Sequence, residues 1–461
     1  MSGSLVDSLH RTVKLELDDG TAASLADAEA RARRHVLQVV VGSDVRESVT
    51  RQAMLLTAVN AGSRAFVGGV RVLGNLDWSL ATPWHRGDLA RDVLRRYGAT
   101  PVHDLDPSLP TVVVGRPAAT PVGNVAVRLT WQGWVGGAVD EDDARLAEAD
   151  EFALAGVLAA GIGVAEAFQS ARGSVVAGRR AVGLSLWRPD LHWRDPAAVG
   201  GPLWFLPERL WVLGLGHLGQ AYLWALGFLP YRAPQDVELT LQDYDTVVEA
   251  NRSTGLLVVD DEALGRPKTR VVAAAVETLG FRTRVIERRF DDSTRPGPGE
   301  PSWAVAGFDK PDPRRALGVF ERAVDGGLGA RHDDYLAFRL HTFPAAGRPE
   351  DVFATTSVDA PDLDLPAGYD ALVREATVEG RTEAEARCGV VEVAGTAVGA
   401  AFVGAVAGAL VVADVLRALV EDRTVAVLSM SLASPQHLDV VTGTGGTSNP
   451  SFQRVDGERA S

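Results

Sequence analysis

Short runs of apolar, mostly β-branched residues alternate along the chain with longer stretches that repeat apolar residues at helical spacing. In the first half, strand-like runs lie at 35–42, 70–74, 111–115 and 125–131, and helical stretches lie at 48–60 and 151–170. Strands that alternate with helices in this way predict an α/β fold with a mostly parallel sheet.

The second half begins with a strand at 209–214 and continues the same alternation. Further strands are predicted at 302–309, 335–343, 424–431 and 437–441, and helices at 312–325, 368–386 and 395–421. Residues 174–207 are rich in proline and tryptophan, which is typical of a connector packed onto the body of a protein. The sequence therefore predicts a first half at 1–173, a connector at 174–207 and a second half at 208–461.

One apolar segment allows two interpretations. No residue from 393 to 413 is charged, so this segment is long enough to span a bilayer. It consists largely of Ala, Gly and Val, a composition that inserts weakly into membranes. We expect a tightly packed buried helix, with a membrane span as the alternative. Because residues 1–34 also lack the apolar core of a signal peptide, we expect a cytoplasmic protein without a membrane partner.

Charge and cysteine usage exclude several classes of protein. The net charge of −14, with no block of basic residues, argues against nucleic acid as a partner. Cys388 is the single cysteine, so an intrachain disulfide and a cysteine-cage zinc site are both excluded, and no zinc is expected. Of the 46 basic residues, only Lys14, Lys268 and Lys310 are lysines.

The strand at 209–214 is followed by Gly214-Leu-Gly216-His-Leu-Gly219 and then an apolar helix. Glycines in this setting let the backbone approach phosphates while the helix start presents its amides. A tight turn without a ligand is the alternative. The strand at 70–74 has no such glycine turn, so the first half has the pattern of a nucleotide-binding fold without its phosphate loop.

Acidic residues follow the next strand of the second half. Asp243 and Asp245 end the run LTLQDYD, where dinucleotide folds place the acid that binds ribose. Asn251 comes soon after, and Lys268 begins the next helix. An ordinary NAD-dependent dehydrogenase does not call for a lysine beside its phosphates. For Asp245 a capping role, and for Lys268 a solvated surface position, are the alternatives.

The order GLGHLG, DYD, Asn251, GRPK and GFDKPDPRR resembles the ThiF, MoeB and ubiquitin-activating-enzyme superfamily of adenylyltransferases. The resemblance is good over 205–325 and looser to about 420. It implies a Rossmann-like adenylation fold, with a mostly parallel sheet and an antiparallel extension. The first half is similar to the degenerate, inactive half of ubiquitin-activating enzymes. In these enzymes an arginine from one half reaches the ATP of the other, and Arg51 is the candidate, with a surface arginine as the alternative.

The resemblance also implies the chemistry. A substrate carboxylate would attack the α-phosphate of ATP, giving an acyl-adenylate and pyrophosphate. Lys268 would stabilise the phosphates, and Asp309, after the strand SWAVAGFD, would hold Mg²⁺. Asp243 would bind ribose, while Asp245 and Asn251 would organise the site.

Two arginines have weaker assignments. Arg314 is a further candidate for assisting the phosphates, with a helix-face ion pair as the alternative. The superfamily often has an arginine about three residues after the Asn251 position, but here the nearest arginine is Arg252.

Cys388 precedes the small-residue segment at the place where relatives carry an acyl-accepting or sulfur-transferring cysteine. Arg387 or a helix start could lower the pKa of its thiol. A buried structural thiol is the alternative. With one cysteine, the chain cannot form the two CxxC zinc pairs of many relatives.

The sequence therefore predicts an enzyme that adenylates the C-terminal carboxylate of a ubiquitin-like protein, using ATP and Mg²⁺, with possible transfer to Cys388. A conjugating enzyme is a further expected partner, and a homodimer is one assembly that the resemblance allows. The alternatives are a peptide-modifying adenylyltransferase of a natural-product pathway and a scaffold that has lost catalysis.

Overall fold

The computed structural model describes residues 5–118, 125–258, 260–329, 331–354, 366–378, 382–420, 423–444 and 450–455. Within these ranges the first half contains the following helices and strands: α1 (Leu5–Ser8), α2 (Arg11–Asp18), α3 (Leu25–Ala32), β1 (Leu37–Val41), α4 (Val49–Ala65), β2 (Val70–Leu73), α5 (Ala90–Arg96), β3 (Ala99–Pro101), β4 (Thr111–Val114), β5 (Ala126–Gln132), β6 (Val135–Val139), α6 (Ala153–Ala171) and β7 (Val182–Ser185).

The first half forms a sheet in the order β3-β2-β1-β4-β5-β6-β7. Strands β1 to β5 are parallel, and β6 and β7 extend the sheet in antiparallel fashion. The predicted strands and both predicted helices are present. The sequence pattern missed β6 because Gly136 and Gly137 interrupt it. It also missed β7, which the connector at 174–207 adds to this sheet.

The rest of the described chain contains β8 (Phe205–Pro207), β9 (Arg209–Leu213), α7 (His217–Leu226), β10 (Glu238–Gln242), α8 (Lys268–Glu277), β11 (Arg282–Ile286), β12 (Trp303–Ala306), α9 (Pro311–Arg315), β13 (Arg322–Leu328), β14 (Ala337–Phe343), α10 (Pro349–Val352), α11 (Ala367–Val378), α12 (Glu383–Gly395), α13 (Ala401–Ala418), β15 (Arg423–Ser431), β16 (Leu438–Thr444) and β17 (Phe452–Arg454).

The second sheet has the order β11-β10-β9-β12-β13-β14-β15-β16, parallel through β13 and antiparallel beyond it. It therefore confirms the predicted Rossmann-like sheet with an antiparallel extension. In both sheets the earliest strand lies third from one edge, and the first seven strands follow the same order and directions, while the second sheet adds one antiparallel strand, β16.

The helix predicted over 312–325 is wrong. Only α9 and a short 3-10 helix, Ala316–Val319, form there, and the chain then enters β13. Pairing with β12 on one side and β14 on the other satisfies the backbone of β13 in the middle of the sheet. That pairing outweighs the helix-like spacing of a short apolar segment.

Helices α6 and α13 pack against each other, and α13 also packs against α4 and α7. Both are long and apolar enough to cross a membrane, and 94% of the most apolar 18-residue stretch of each helix is buried inside the protein. A Cβ added at Gly161 would lie 2.7 Å from Val406, and one at Gly408 would lie 2.6 Å from the Ala221 carbonyl oxygen. The small residues of the uncharged segment therefore serve close helix packing.

A second, smaller core joins the amino-terminal helices to α11 and α12. Its apolar members include Leu9, Val13 and Leu17 from the amino-terminal end and Tyr369 and Val393 from the later helices. The buried Lys14 ammonium crosses the same junction, since it binds Asp18 at 2.5 Å and the Ala394 carbonyl at 3.3 Å. The amino-terminal helices therefore hold the segment that contains Cys388 against the body.

Candidate functional site

The candidate site lies where β9, β10 and β12 reach their carboxyl ends. Strand β9 lies between β10 and β12, so the connections leaving this part of the sheet diverge in opposite directions. In open α/β sheets a ligand binds in the crevice formed at such a switch point. The glycine turn after β9 and the acidic run after β10 both lie at this edge, as the sequence predicts.

The three glycines of the turn differ in what an added Cβ would meet. Gly214 has φ of +76°, and a Cβ on it would lie 2.9 Å from the Gly307 carbonyl oxygen. A Cβ at Gly219 would lie 1.9 Å from the Gly214 carbonyl oxygen, so this glycine allows α7 to pack against the strand. A Cβ at Gly216 would meet no atom within 4 Å. The backbone at Gly216 therefore faces open space at the start of α7, where a phosphate could approach its amides.

Asp243 is bound to the glycine turn itself. Its Oδ2 accepts a hydrogen bond of 2.6 Å from the Leu215 amide, and its Oδ1 accepts one of 2.8 Å from the Asp245 amide. The carboxylate is half-buried. Asp243 thus ties the turn after β9 to the end of β10, and oxygen lone pairs not used in these bonds can accept from ribose hydroxyls.

Asp245 and Lys268 form an ion pair at the start of α8. The Lys268 ammonium lies 2.9 Å from Asp245 Oδ2, and the Lys268 amide donates to the Asp245 carbonyl at 2.9 Å. The lysine side chain is 11% exposed and the aspartate side chain 48%, so the ammonium lies at the base of the crevice and its counterion faces solvent. An ammonium has three N–H donors, so one bond to Asp245 leaves donors for phosphate oxygens.

Asn251 caps the start of a short 3-10 helix, Glu249–Ser253, because its side-chain oxygen accepts a 2.9 Å hydrogen bond from the Val248 amide. Two side chains of α4, in the first half, hold this segment. Asn60 donates to the Leu256 carbonyl at 2.9 Å, and Arg64 donates to the Arg252 carbonyl at 2.8 Å. The first half therefore shapes one wall of the crevice. Neither contact could be predicted from sequence, because about 190 residues separate the partners.

Arg11 is a candidate that the sequence did not reveal. It begins α2, and its amide donates to Ser253 Oγ at 3.3 Å, which places it beside the Asn251 segment. Its Nη1 is buried and has no hydrogen-bond partner among the described residues. Burial lowers the pKa of this guanidinium, against the attraction of Asp7. A partly buried guanidinium with an unused donor is suited to binding an anion.

Arg51, the arginine assigned from sequence, lies elsewhere. Its Nη2 binds Glu148 at 2.8 Å, its Nε lies 3.2 Å from Asp44, and its guanidinium lies over Trp131. All these partners belong to the first half. Arg51 begins α4, whereas the contacts that α4 makes with the crevice come from its later turns. Among the described residues Arg11 begins its helix nearer to the Asn251 segment than Arg51 does. The role of Arg51 at the ATP of the other half stays a prediction, and Arg11 is a second candidate.

Asp309 lies in the turn after β12 and is exposed. The Gly307 amide donates to the Leu213 carbonyl at 2.9 Å, so this turn borders the end of β9. Within the described residues no group of three or more His, Cys, Asp or Glu could hold a metal. One exposed carboxylate still fits Mg²⁺, which proteins usually bind through one or two carboxylates together with substrate phosphates.

Two remaining residues have different positions. Cys388 falls within α12, and its side chain lies outside the described part of the chain. His217, in the glycine turn, is half-buried, and its ring lies against the start of α13, where added Cβ atoms at Gly399 and Gly404 would reach it. Burial lowers the pKa of His217 to about 4, so the ring is neutral near pH 7 and supplies no charge to the crevice.

Two family models and one related protein match the chain across both halves. Residues 206–422 match the model of the BilD C-terminal domain, and residues 36–186 match that of the BilD N-terminal domain. The chain is 35% identical over 441 residues to bacterial E1-like protein BilD of Collimonas sp. (strain OK412), and the match covers 94% of each protein.

Solved structures give more distant similarities. Escherichia coli MccB is 13% identical, with 52% of this chain and 63% of that chain covered and a TM-score of 0.32. Escherichia coli tRNA N6-threonylcarbamoyladenosine dehydratase, TcdA, in complex with AMP, is 18% identical, with 46% and 85% covered and a TM-score of 0.28. Similarities at this level carry no argument about the site.

Proposed function

This chain belongs to the BilD family of bacterial E1-like proteins, and we propose that it adenylates the C-terminal carboxylate of a ubiquitin-like protein with ATP. Family membership agrees with the superfamily that the motifs indicate. The observation that carries the proposal is the Lys268 ammonium, which lies beside Asp245 at the edge that also holds the glycine turn. The triphosphate of ATP carries more negative charge than the diphosphate of a dinucleotide, which favours a site with an added cation.

The proposed reaction needs charge neutralisation more than proton transfer. A carboxylate oxygen attacks the α-phosphorus of ATP, the bond from that phosphorus to the oxygen that bridges the α- and β-phosphates breaks, and pyrophosphate leaves with that oxygen and the bond electrons. The carboxylate is already ionised near pH 7 and requires no general base. The protein must instead stabilise the negative charge on the phosphates, which amides, cations and a helix start all do.

Different residues of the described site would bind the phosphates, the ribose and Mg²⁺. The amides at Gly216 and the start of α7 would face phosphate oxygens, and Lys268 would supply the ammonium. Asp243 would bind ribose while it fixes the glycine turn. Asp309 would hold Mg²⁺, which when bound screens charge on the phosphates.

The test of this proposal is exchange of labelled pyrophosphate into ATP. We expect exchange in the presence of Mg²⁺ and a small ubiquitin-like protein that ends in Gly-Gly. We expect none with the same protein amidated at its C-terminus, because the nucleophile is then absent. Exchange with a short free peptide alone would favour the peptide-modifying alternative. Absence of exchange with every carboxylate would favour a scaffold.

Arg11→Ala is expected to slow pyrophosphate exchange by about 10- to 100-fold, because it removes a partly buried cation with an unused donor from the helix whose first amide binds Ser253. Arg51→Ala is expected to change the rate less than about threefold, because the partners of Arg51 lie in its own half. The two variants remove the same side chain from the starts of two helices. Equal rates for Arg11→Ala and wild type, with a slow Arg51→Ala, would favour Arg51, the arginine assigned from sequence.

Transfer of the acyl group to Cys388 is a second step of the proposal. The thiolate sulfur would attack the carbonyl carbon of the adenylate, form a thioester and release AMP. Cys388→Ala is expected to leave pyrophosphate exchange within about twofold of wild type and to abolish a protein adduct cleaved by a thiol reductant. Because the chain has one cysteine, no other thiol can substitute. An unchanged adduct in Cys388→Ala would remove this cysteine from the mechanism.

A further inference from the structure

The turn that contains Asp309 is held from behind by Arg314. The guanidinium Nη2 donates to the carbonyl of Phe308, the residue immediately before Asp309, and also to the Gly326 carbonyl at 3.2 Å. Arg314 therefore links the turn after β12 to strand β13. Its side chain is 15% exposed, and its guanidinium also lies against the Phe353 ring.

Asp325 on β13 is the counterion of this arginine. The residue is fully buried, and its Oδ1 lies 3.6 Å from Arg314 Nε. Neither oxygen of Asp325 has a hydrogen-bond partner among the described residues, and neither does Arg314 Nε. A buried carboxylate normally has several such partners, so this one is held mainly by the charge of one arginine.

Two glycines leave space for this arrangement. A Cβ at Gly327 would lie 2.9 Å from Arg314 Nη1, and a Cβ at Gly326 would lie 2.2 Å from the Tyr222 hydroxyl oxygen. Tyr222 in turn donates to the carbonyl of Ala306, the last residue of β12, at 2.9 Å. The end of β12 and the turn beyond it are therefore fixed by side chains from α7 and α9.

We propose that Arg314 and Asp325 are positioning residues that hold the turn after β12, and with it Asp309, in the geometry required for Mg²⁺ and ATP. This inference rests on the proposed function for the role of Asp309. Asp325 orients the guanidinium, the guanidinium fixes the Phe308 carbonyl, and the next residue presents its carboxylate to the crevice. Neither Arg314 nor Asp325 needs to touch the nucleotide.

Hydrogen exchange tests the turn without requiring activity. In Asp325→Asn and in Arg314→Lys, amides of residues 307–312 are expected to exchange about tenfold faster than in wild type. A lysine keeps the charge but cannot donate in the planar fork of an arginine. Arg315→Lys is the matched control: Arg315 binds the Phe353 carbonyl at 2.9 Å and lies 3.6 Å from the exposed Asp312, so the exchange of 307–310 is expected to stay at the wild-type rate. Unchanged exchange in both test variants would overturn the proposal.

Calorimetric titration with ATP tests the link to the site. Mg²⁺ is expected to increase the affinity of wild type for ATP. In both test variants this Mg²⁺-dependent increase in affinity is expected to be about tenfold smaller, while the affinity for ATP in EDTA is unchanged. A full gain in Asp325→Asn and Arg314→Lys would overturn the positioning role. A full gain in Asp309→Ala would instead overturn the metal role assigned to Asp309 under the proposed function, while the exchange result would still decide whether the pair holds the turn.

The dependence on pH separates this role from a merely structural one. Burial raises the pKa of Asp325 to about 7, and Arg314 opposes the shift. Tyr222 and His341 are the other titratable groups facing this part of β13, and burial lowers the pKa of His341 to about 4. The Mg²⁺ gain of wild type is therefore expected to fall more between about pH 8 and pH 6 than that of Asp325→Asn, whose fall reflects only the protonation of the terminal phosphate of ATP. The same fall in both proteins would contradict the role of Asp325.

Discussion

Lys268→Ala is expected to slow pyrophosphate exchange by about 100- to 1,000-fold, a larger effect than that of any other single change at the site. The ammonium lies in a crevice at 11% exposure, where a charge interacts more strongly with phosphate than it does in water. Its loss also leaves Asp245, a negative group, without its cation beside the phosphates. The measurement is the steady-state exchange rate at saturating ATP and substrate.

Two controls separate this effect from general damage to α8. Arg270→Ala removes a cation two residues further along, where Arg270 pairs with Glu287 and is 60% exposed, and is expected to leave the rate unchanged. Lys268→Arg keeps the charge and is expected to recover only part of the rate, because a planar fork is larger than an ammonium. A rate for Lys268→Ala within about threefold of wild type would remove this residue from the proposed chemistry.

Asp414→Asn is expected to lower the free energy of unfolding by about 3–5 kcal/mol, the largest stability effect anticipated. Asp414 lies on α13 and is 3% exposed. Its carboxylate binds Arg322 at 2.6 Å, Arg417 at 2.7 Å and Thr342 at 3.0 Å. A neutral amide would remove the negative charge that Asp414 places between two buried guanidinium groups. Denaturant unfolding measures the change, and Asp439→Asn on the exposed part of β16 is a control expected to shift it by less than about 0.5 kcal/mol.

The same carboxylate gives a defined pH dependence. Burial alone would raise the pKa of Asp414, but Arg322 and Arg417 outweigh it and hold the pKa below the ordinary 3.8. A depressed pKa in the folded state means that the contribution is present above 3.8 and is lost as the pH falls through the folded-state value. The difference in stability between wild type and Asp414→Asn should therefore be constant near neutral pH and shrink only below about pH 4. A difference that shrank near pH 6 would contradict the ion network.

Local motifs predict which residues of the second half lie together in the candidate site. The glycine turn, Asp243, Asp245 and Lys268 lie within 60 residues of one another, and the chain order of β9, β10 and α8 brings them to one edge of the sheet. The glycines also have geometric reasons that sequence reasoning can state in advance, since a strand-to-helix turn around a phosphate restricts the backbone.

Contacts across long separations were not predictable in this way. Arg11 meets Ser253 across 242 residues, and no local spacing marks it as different from other arginines near a helix start. Arg51 has a comparable sequence setting but lies at the end of α4 that faces Glu148. Pairing with neighbouring strands likewise determines that β13 is a strand, although the local sequence pattern predicts a helix over its first residues. Long-range pairing carries information that a window of neighbouring residues does not contain.

The central claim is that a carboxylate of the substrate attacks the α-phosphate of ATP. The most direct measurement uses a ubiquitin-like protein whose C-terminal carboxylate oxygens are ¹⁸O-labelled, with hydroxylamine present to cleave the adenylate. Attack at the α-phosphorus places one carboxylate oxygen in AMP, and hydroxylamine then releases that AMP by attacking the carbonyl carbon. We predict AMP that contains one ¹⁸O atom, formed with pyrophosphate. Label in inorganic phosphate with ADP as the other product, or AMP without label, would contradict the account.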